Sequence, residues 1–207
     1  MSLKGIIKFL LMAAVGFGVY SAWPWRVVHH APGVLVSSQP LQKAIAPKAL
    51  PEVGGWKLTA VAEYEIRGRV LGTKRYFTGE NTSLVPVDVS LGWARMSDES
   101  VLSKFDLSMG NRFFYYEWRN QPAIPPEEIK VSAANNHVIA ANPDVRSAVR
   151  WLKAGQIVSF KGYLVNAVKP GGVTWNSSLT REDTGNGACE LFYVESARAA
   201  SALADEE

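Results

Sequence analysis

The sequence predicts an α+β chain that is mainly β. The expected form is a small barrel or strongly coiled antiparallel sheet (OB-like), with one or two short helices, preceded by an N-terminal transmembrane helix. Three observations predict it. Apolar residues partly alternate from Trp56 to Val70, the period of a half-buried strand. Four consecutive aromatics, Phe113 to Tyr116, suit a pleated surface better than a helix. Residues 4–26, KGIIKFLLMAAVGFGVYSAWPWR, place two lysines before an apolar stretch that closes on two tryptophans and an arginine.

Residues 1–26 read as a membrane anchor or a signal peptide. A spanning helix needs about 20 apolar residues, with ~17 as the lower limit. Gly5 through Trp25 reaches that length if Lys8 snorkels back to the headgroups. Trp23 and Trp25 then fall in an interfacial aromatic belt. The signal-peptide alternative has a suitable apolar core and a tolerable cleavage site at Val19-Tyr20-Ser21, but no A-x-A triplet. Both place the positive end inside. The expected location is the inner (cytoplasmic) membrane, single-pass, with the C-terminal domain outside the cytoplasm, in a bacterial periplasm.

Residues 27–55 hold Pro32, Pro40, Pro47 and Pro51 and read as a linker, with Val34-Leu35-Val36 packed on the domain as an extended piece. The β-rich globular domain is expected over 56–196. After the Trp56–Val70 strand comes a turn at 78–81, then a strand over 84–91 that Pro86 pushes toward an edge. Ser97-Asp98-Glu99 starts a short helix, and 113–118 is a strand. Asn142-Pro143-Asp144 caps a helix that Gly155 ends. Strands follow at 157–168, 173–180 and 188–194, with Pro170-Gly171-Gly172 as a turn. Gly162 suits a bend at a barrel corner. Residues 197–207 form a C-terminal tail, Ala-rich and helical as far as Ala204.

The bulk numbers narrow the function. With 207 residues, 47% hydrophobic and 20% charged, the chain is ordinary globular protein of one domain plus appendages. The formal charge is +3, part of it on Lys4 and Lys8 of the leader, and no block of like charge appears. A nucleic-acid partner is therefore not expected. A single cysteine excludes an intramolecular disulfide and a multi-cysteine zinc site. With His29, His30 and His137 as the three histidines, no metal and no cofactor is expected. Phosphate-loop, G-x-S-x-G and H-E-x-x-H motifs are absent.

Three blocks stand out: Leu91-Gly92-Trp93-Ala94-Arg95-Met96-Ser97-Asp98, Ser132 through Ile139, and Trp175-Asn176-Ser177-Ser178-Leu179-Thr180-Arg181-Glu182-Asp183-Thr184-Gly185-Asn186-Gly187-Ala188-Cys189-Glu190. In these the chain resembles a family of uncharacterised bacterial proteins with an N-terminal membrane segment and one β-rich domain. The resemblance runs from about residue 60 to 195. It implies a bacterial, membrane-associated protein and brings no activity, ligand or catalytic residue.

The third block is the candidate site. As structure, Arg181 and Asp183 pin a turn that Gly185 and Gly187 permit. As a binding site, Arg181 holds an anion, the Ser177 and Ser178 hydroxyls assist, Trp175 offers a stacking face, and Asp183 and Glu190 complete the patch. As an enzyme, Cys189 is the nucleophile, His137 its base, and Asn135 or Asn136 orients the imidazole. The favoured function is a membrane-tethered, extracytoplasmic, non-catalytic binding or assembly module. Its partners would be the membrane, through the N-terminal helix, and proteins of a membrane assembly. The alternatives are a cysteine-dependent hydrolase or transferase, and an oligonucleotide or oligosaccharide binder that uses a barrel face and the 113–118 aromatics.

Overall fold

The computed structural model describes residues 3–22, 27–183, 185 and 187–200, with side chains of the first helix described over 5–16. The chain runs α1 (Leu3–Ala22), β1 (Leu41–Val53), β2 (Trp56–Arg75), β3 (Val87–Gly92), a 3-10 turn (Ala94–Ser97), α2 (Glu99–Leu102), β4 (Asp106–Gly110), β5 (Phe113–Glu117), α3 (Pro126–Lys130), β6 (Ala133–Ala140), α4 (Pro143–Arg150), β7 (Ile157–Val168), β8 (Thr174–Asn176) and β9 (Glu190–Ala199).

The long strand β2 is the spine. One of its edges pairs antiparallel with β7 from Lys57 to Arg69. The other pairs with β1 as far as Glu65 and with β3 from Arg69 onward. The β2–β7 register shifts between Ala60 and Ala62. A bulge of this kind hands the buried side chains from one face to the other. Before it, Trp56, Leu58 and Ala60 join one core with Val165, Ala167 and Leu191. After it, Tyr64 and Ile66 join a second core with Phe160, Leu164, Phe192 and the α4 residues Val145 and Val149. A third, smaller core forms where β5, α2 and α3 close over Leu71, Met96 and Ile129.

The predicted fold class needs correction on both counts. The sheet has seven strands in the order β1-β2-β3-β6-β9-β7-β8. It is mixed rather than antiparallel throughout, because β9 runs parallel to β6; β1 and β8 are its edge strands, and β2 pairs with β7 as well as with β3. The last three strands do not form a simple meander: β9 passes β8 and inserts between β7 and β6. The predicted transmembrane helix is corrected as well. Among the described residues no helix is long and apolar enough to cross a membrane. The helix α1 carries Lys4 and Lys8 within its sequence, which interrupt its apolar run. Trp23, Trp25 and Arg26 lie outside the described residues.

Local chemistry accounts for the other departures. The Pro-rich stretch expected as a linker contains β1, an edge strand whose Pro47 and Pro51 withhold no ladder bonds from an outer neighbour. Ala197–Ala199, expected in a helix, continues β9 against β7. The rest of that tail, 201–207, lies outside the described residues. Gly162 sits at a register shift between β7 and β9, where a Cβ would stand 2.0 Å from the Tyr193 carbonyl oxygen. The α4 start is as expected: Asn142 Oδ1 accepts the Val145 N–H at 2.9 Å and Pro143 takes the first turn.

Candidate functional site

Strands β3 and β6 pair Asp88 with His137 and Ser90 with Asn135. Successive strand residues face opposite ways. Val87, Val89, Ala134 and Val138 therefore enter the α4-side core, while Asp88, Ser90, Asn135 and His137 face outward, and all four are buried. The β4–β5 hairpin and the chain from β8 to β9 cover them.

The hairpin contributes Arg112. Gly110 pairs with Phe113, so Asn111-Arg112 forms a two-residue turn, with φ of 50° and 70°. Such turns favour Asn-Gly. An arginine in the second position stores roughly 1 kcal/mol of backbone strain, the kind retained where a side chain has work to do. Arg112 Nη1 donates to the Val85 carbonyl at 2.9 Å and to Asp88 Oδ1 at 3.0 Å. Its guanidinium lies 3.6 Å from the Tyr76 ring centroid and 5.8 Å from that of Trp175. Burial first, and then the Asp88 carboxylate, push the Tyr76 phenol up to about 12, so it remains a neutral wall.

Asp88 Oδ1 also accepts from His137 Nδ1 at 2.9 Å. That bond fixes the tautomer and directs Nε2 away from the carboxylate. Asp88 Oδ2 is buried with no partner. Ser90 Oγ donates to Asn135 Oδ1 at 3.0 Å, and Asn135 Nδ2 donates to the Arg112 carbonyl at 2.9 Å. Together these bonds lock the turn to the sheet. Trp175 packs against His137 in a tilted arrangement, with ring centroids 4.8 Å apart and planes at 56°. A cavity of about 220 Å³ opens among Arg112, Phe113, His137, Trp175, Asn176 and Cys189.

The sequence-predicted residues divide between this cavity and three other roles. Trp175, His137 and Cys189 line it. Asn136 does not: it faces the α4-side core, with Nδ2 donating to the Val89 and Ala134 carbonyls. The orienting group of His137 is Asp88, and the asparagine beside Cys189 is Asn135, whose Nδ2 stands 3.4 Å from Sγ. Burial is the main reason the Cys189 thiol rises to about 11. Ser177 and Ser178 are spent on structure. Ser177 Oγ accepts the Leu191 N–H at 3.0 Å, and Ser178 Oγ donates to Asp183 Oδ2 at 2.7 Å.

Arg181 and Glu190 point into a second polar cluster on the opposite face. Glu190 pairs in register with Asn136 and is buried, and that burial pushes its carboxyl up to about 8 against the opposing charge of Arg181. Tyr64 lies beside both charges, its phenol raised by burial. Arg181 Nη2 donates to the Pro40 carbonyl at 3.2 Å. Four buried atoms here have no hydrogen-bond partner of good geometry: Tyr64 Oη, Asn136 Oδ1, Arg181 Nε and Glu190 Oε2. Thr184 and Asn186 lie outside the described residues.

Sequence reasoning missed Asp88, Arg112 and Tyr76. Only Arg112 carried a signal, as the non-glycine residue of an Asn-X turn between two β segments. Of the 113–118 aromatics, Phe114, Tyr116 and Trp118 pack partly buried against the third core, Phe113 lines the cavity and Tyr115 is exposed. Among the described residues no group of three His, Cys, Asp or Glu is placed to hold a metal ion. Comparison with known families, curated proteins and solved structures finds no match to this chain.

Proposed function

We propose that the domain is a non-catalytic binding module whose outer cavity takes a small, flat, anionic group between Arg112 and Trp175. The observation that carries this reading is the strained Arg112. Its Nη1 is held by Asp88 and Val85, while Nη2 and Nε have no hydrogen-bond partner among the described residues. Those two donors suit a carboxylate in bidentate geometry, and the Trp175 indole suits a planar body. At about 220 Å³ the cavity is below the ~300–1,000 Å³ usual for drug-sized ligands. It therefore fits a small molecule or the end of a larger one.

The cysteine-enzyme alternative gains support from Cys189 and His137 lining one cavity. It loses more from the thiol itself. A nucleophilic cysteine needs a depressed pKa, and Cys189 is shifted up, to about 11.

Calorimetric titration tests the binding reading, with benzoate as probe, benzamide as its neutral analogue and inorganic phosphate as a non-planar anion. Benzoate is expected to bind best. Arg112→Gly, which suits the turn, is expected to weaken it about 10- to 100-fold, the worth of a charge-assisted bond. Equal binding of benzamide and benzoate, or an unchanged Arg112→Gly, would reject the proposal. For location, we propose that residues 4–26 act as an export leader delivering the domain to the outer face of the bacterial inner membrane. Recovery of the native polypeptide in the cytosolic fraction would refute that.

A further inference from the structure

We infer that the domain face carrying Arg75, Arg150 and Trp151 docks on an anionic lipid surface. This stands apart from the cavity reading. Trp151 is 54% exposed, although a tryptophan ordinarily hides its indole. Two guanidinium groups flank it, Arg75 at 5.5 Å and Arg150 at 5.4 Å from the ring centroid. Arg146 lies one helical turn before Arg150 and is exposed. Lys74 is exposed beside Arg75, and Phe77, two residues on, is 80% exposed. The acidic residue nearest in α4 is Asp144, in its first turn. Indole and guanidinium side by side match the headgroup region, which takes an amphipathic ring and offers anions to the cations.

The chain itself says why lipid is the occupant. The segment after α1 is strapped to residues 154–155, a few positions beyond Trp151. Val28 N–H donates to the Ala154 carbonyl at 2.8 Å, and His30 Nε2 to the Gly155 carbonyl at 2.7 Å. Gly155 has φ +90°, and a Cβ there would stand 1.8 Å from the Val28 carbonyl oxygen, so the strap seats on glycine alone. Farther along, the Gly33 N–H reaches Asp98, and the Leu35 and Val36 N–H groups reach Ser97 Oγ. Residues 27–36 are therefore no free spacer. They place Val27, itself 43% exposed, beside residues 151–155. Four residues farther back begins α1, whose Phe9, Leu10, Leu11 and Met12 are all exposed. A basic aromatic face is thus joined along the chain, through residues 23–26, to an apolar helix, and one surface, anionic lipid, satisfies both.

The test uses the full chain and vesicles of phosphatidylcholine alone or with phosphatidylserine, by co-sedimentation. The wild type is expected to prefer the anionic vesicles, and added salt to erase that preference. Arg75→Gln with Arg150→Gln is expected to reduce the preference about fivefold per arginine, leaving binding to neutral vesicles unchanged. Trp151→Ala is expected to weaken binding to both. These side chains are at the surface, so an unchanged melting temperature checks the fold. Should the double variant not fold, the salt titration of the wild type decides alone. Equal binding to both vesicle types, a salt-independent preference, or a double variant that keeps the full preference would overturn the inference. The last result would assign the face to a protein partner or to solvent.

Discussion

Two polar clusters sit back to back on β6, one on each face of the same few residues. The outward one holds Asp88, His137, Arg112 and Asn135. The inward one holds Tyr64, Asn136, Arg181 and Glu190. They differ in how their charges are settled. Outward, one carboxylate oxygen is shared by a guanidinium and an imidazole, and a cavity opens beside them. Inward, a buried carboxyl is pushed up to about 8, and four polar atoms go without partners. Outward, Asp88 Oδ2 alone is unpartnered, and it lies beside a cavity; inward, four such atoms gather. A buried polar group without a partner is a cost to folding. The conspicuous residues of 175–190 therefore belong to both: Trp175 and Cys189 serve the outward cluster, Arg181 and Glu190 the inward one.

The largest expected effect breaks the outward cluster. Asp88→Ala leaves Arg112 and His137 without their shared acceptor. Losing one member of a buried pair costs ~3–5 kcal/mol, read as a lowered urea midpoint. A loss below ~1 kcal/mol would mean that Arg112 and His137 find other partners and that the network is not cooperative.

The next effect sharpens the contrast. The Glu190 folded-state pKa, about 8, lies above the ordinary 4.5. The folded protein therefore holds the proton that the unfolded chain releases between those values. Stability is expected to be highest below pH ~4.5 with respect to this group, to fall as pH rises toward 8, and to level off above. Glu190→Gln is expected to remove that decline and to stabilise the protein at pH 8 by a few kcal/mol. Denaturation curves across this window check it; parallel pH profiles for wild type and variant would contradict it. Smaller still is Ser177→Ala, which removes the acceptor of the Leu191 N–H and is expected to cost ~1 kcal/mol. Last, Cys189, with its thiol raised to about 11, is expected to react with iodoacetamide at pH 7 far more slowly than in urea. Equal rates would restore the thiol as a nucleophile.

Much of this was legible in the sequence where a pattern is local. The alternation of β2, the Asn142-Pro143 cap and the Pro170-Gly171-Gly172 turn are set by residues close together. Strand β6 was hidden because Asn135, Asn136 and His137 interrupt its apolar pattern, yet they are buried by pairing with β3 and β9. The Ala-rich end of β9 reads as helix until β7 supplies its ladder. The cavity draws on residues 112, 113, 137, 175, 176, 187 and 189, with Tyr76 and Asp88 holding Arg112 behind it, a convergence set by register rather than by spacing. The sequence therefore singled out Trp175, His137 and Cys189 but not the carboxylate and guanidinium between them.

The central claim is that the outward cluster receives a ligand and the inward one does not. Nuclear magnetic resonance of the ¹⁵N-labelled protein titrated with benzoate tests it most directly. The account predicts a saturable shift of the Trp175 indole N–H and of the Asn176 amide, lost in Arg112→Gly, with Glu190 and Leu191 unmoved. Saturable shifts at Glu190 and Arg181 with Trp175 still would contradict it.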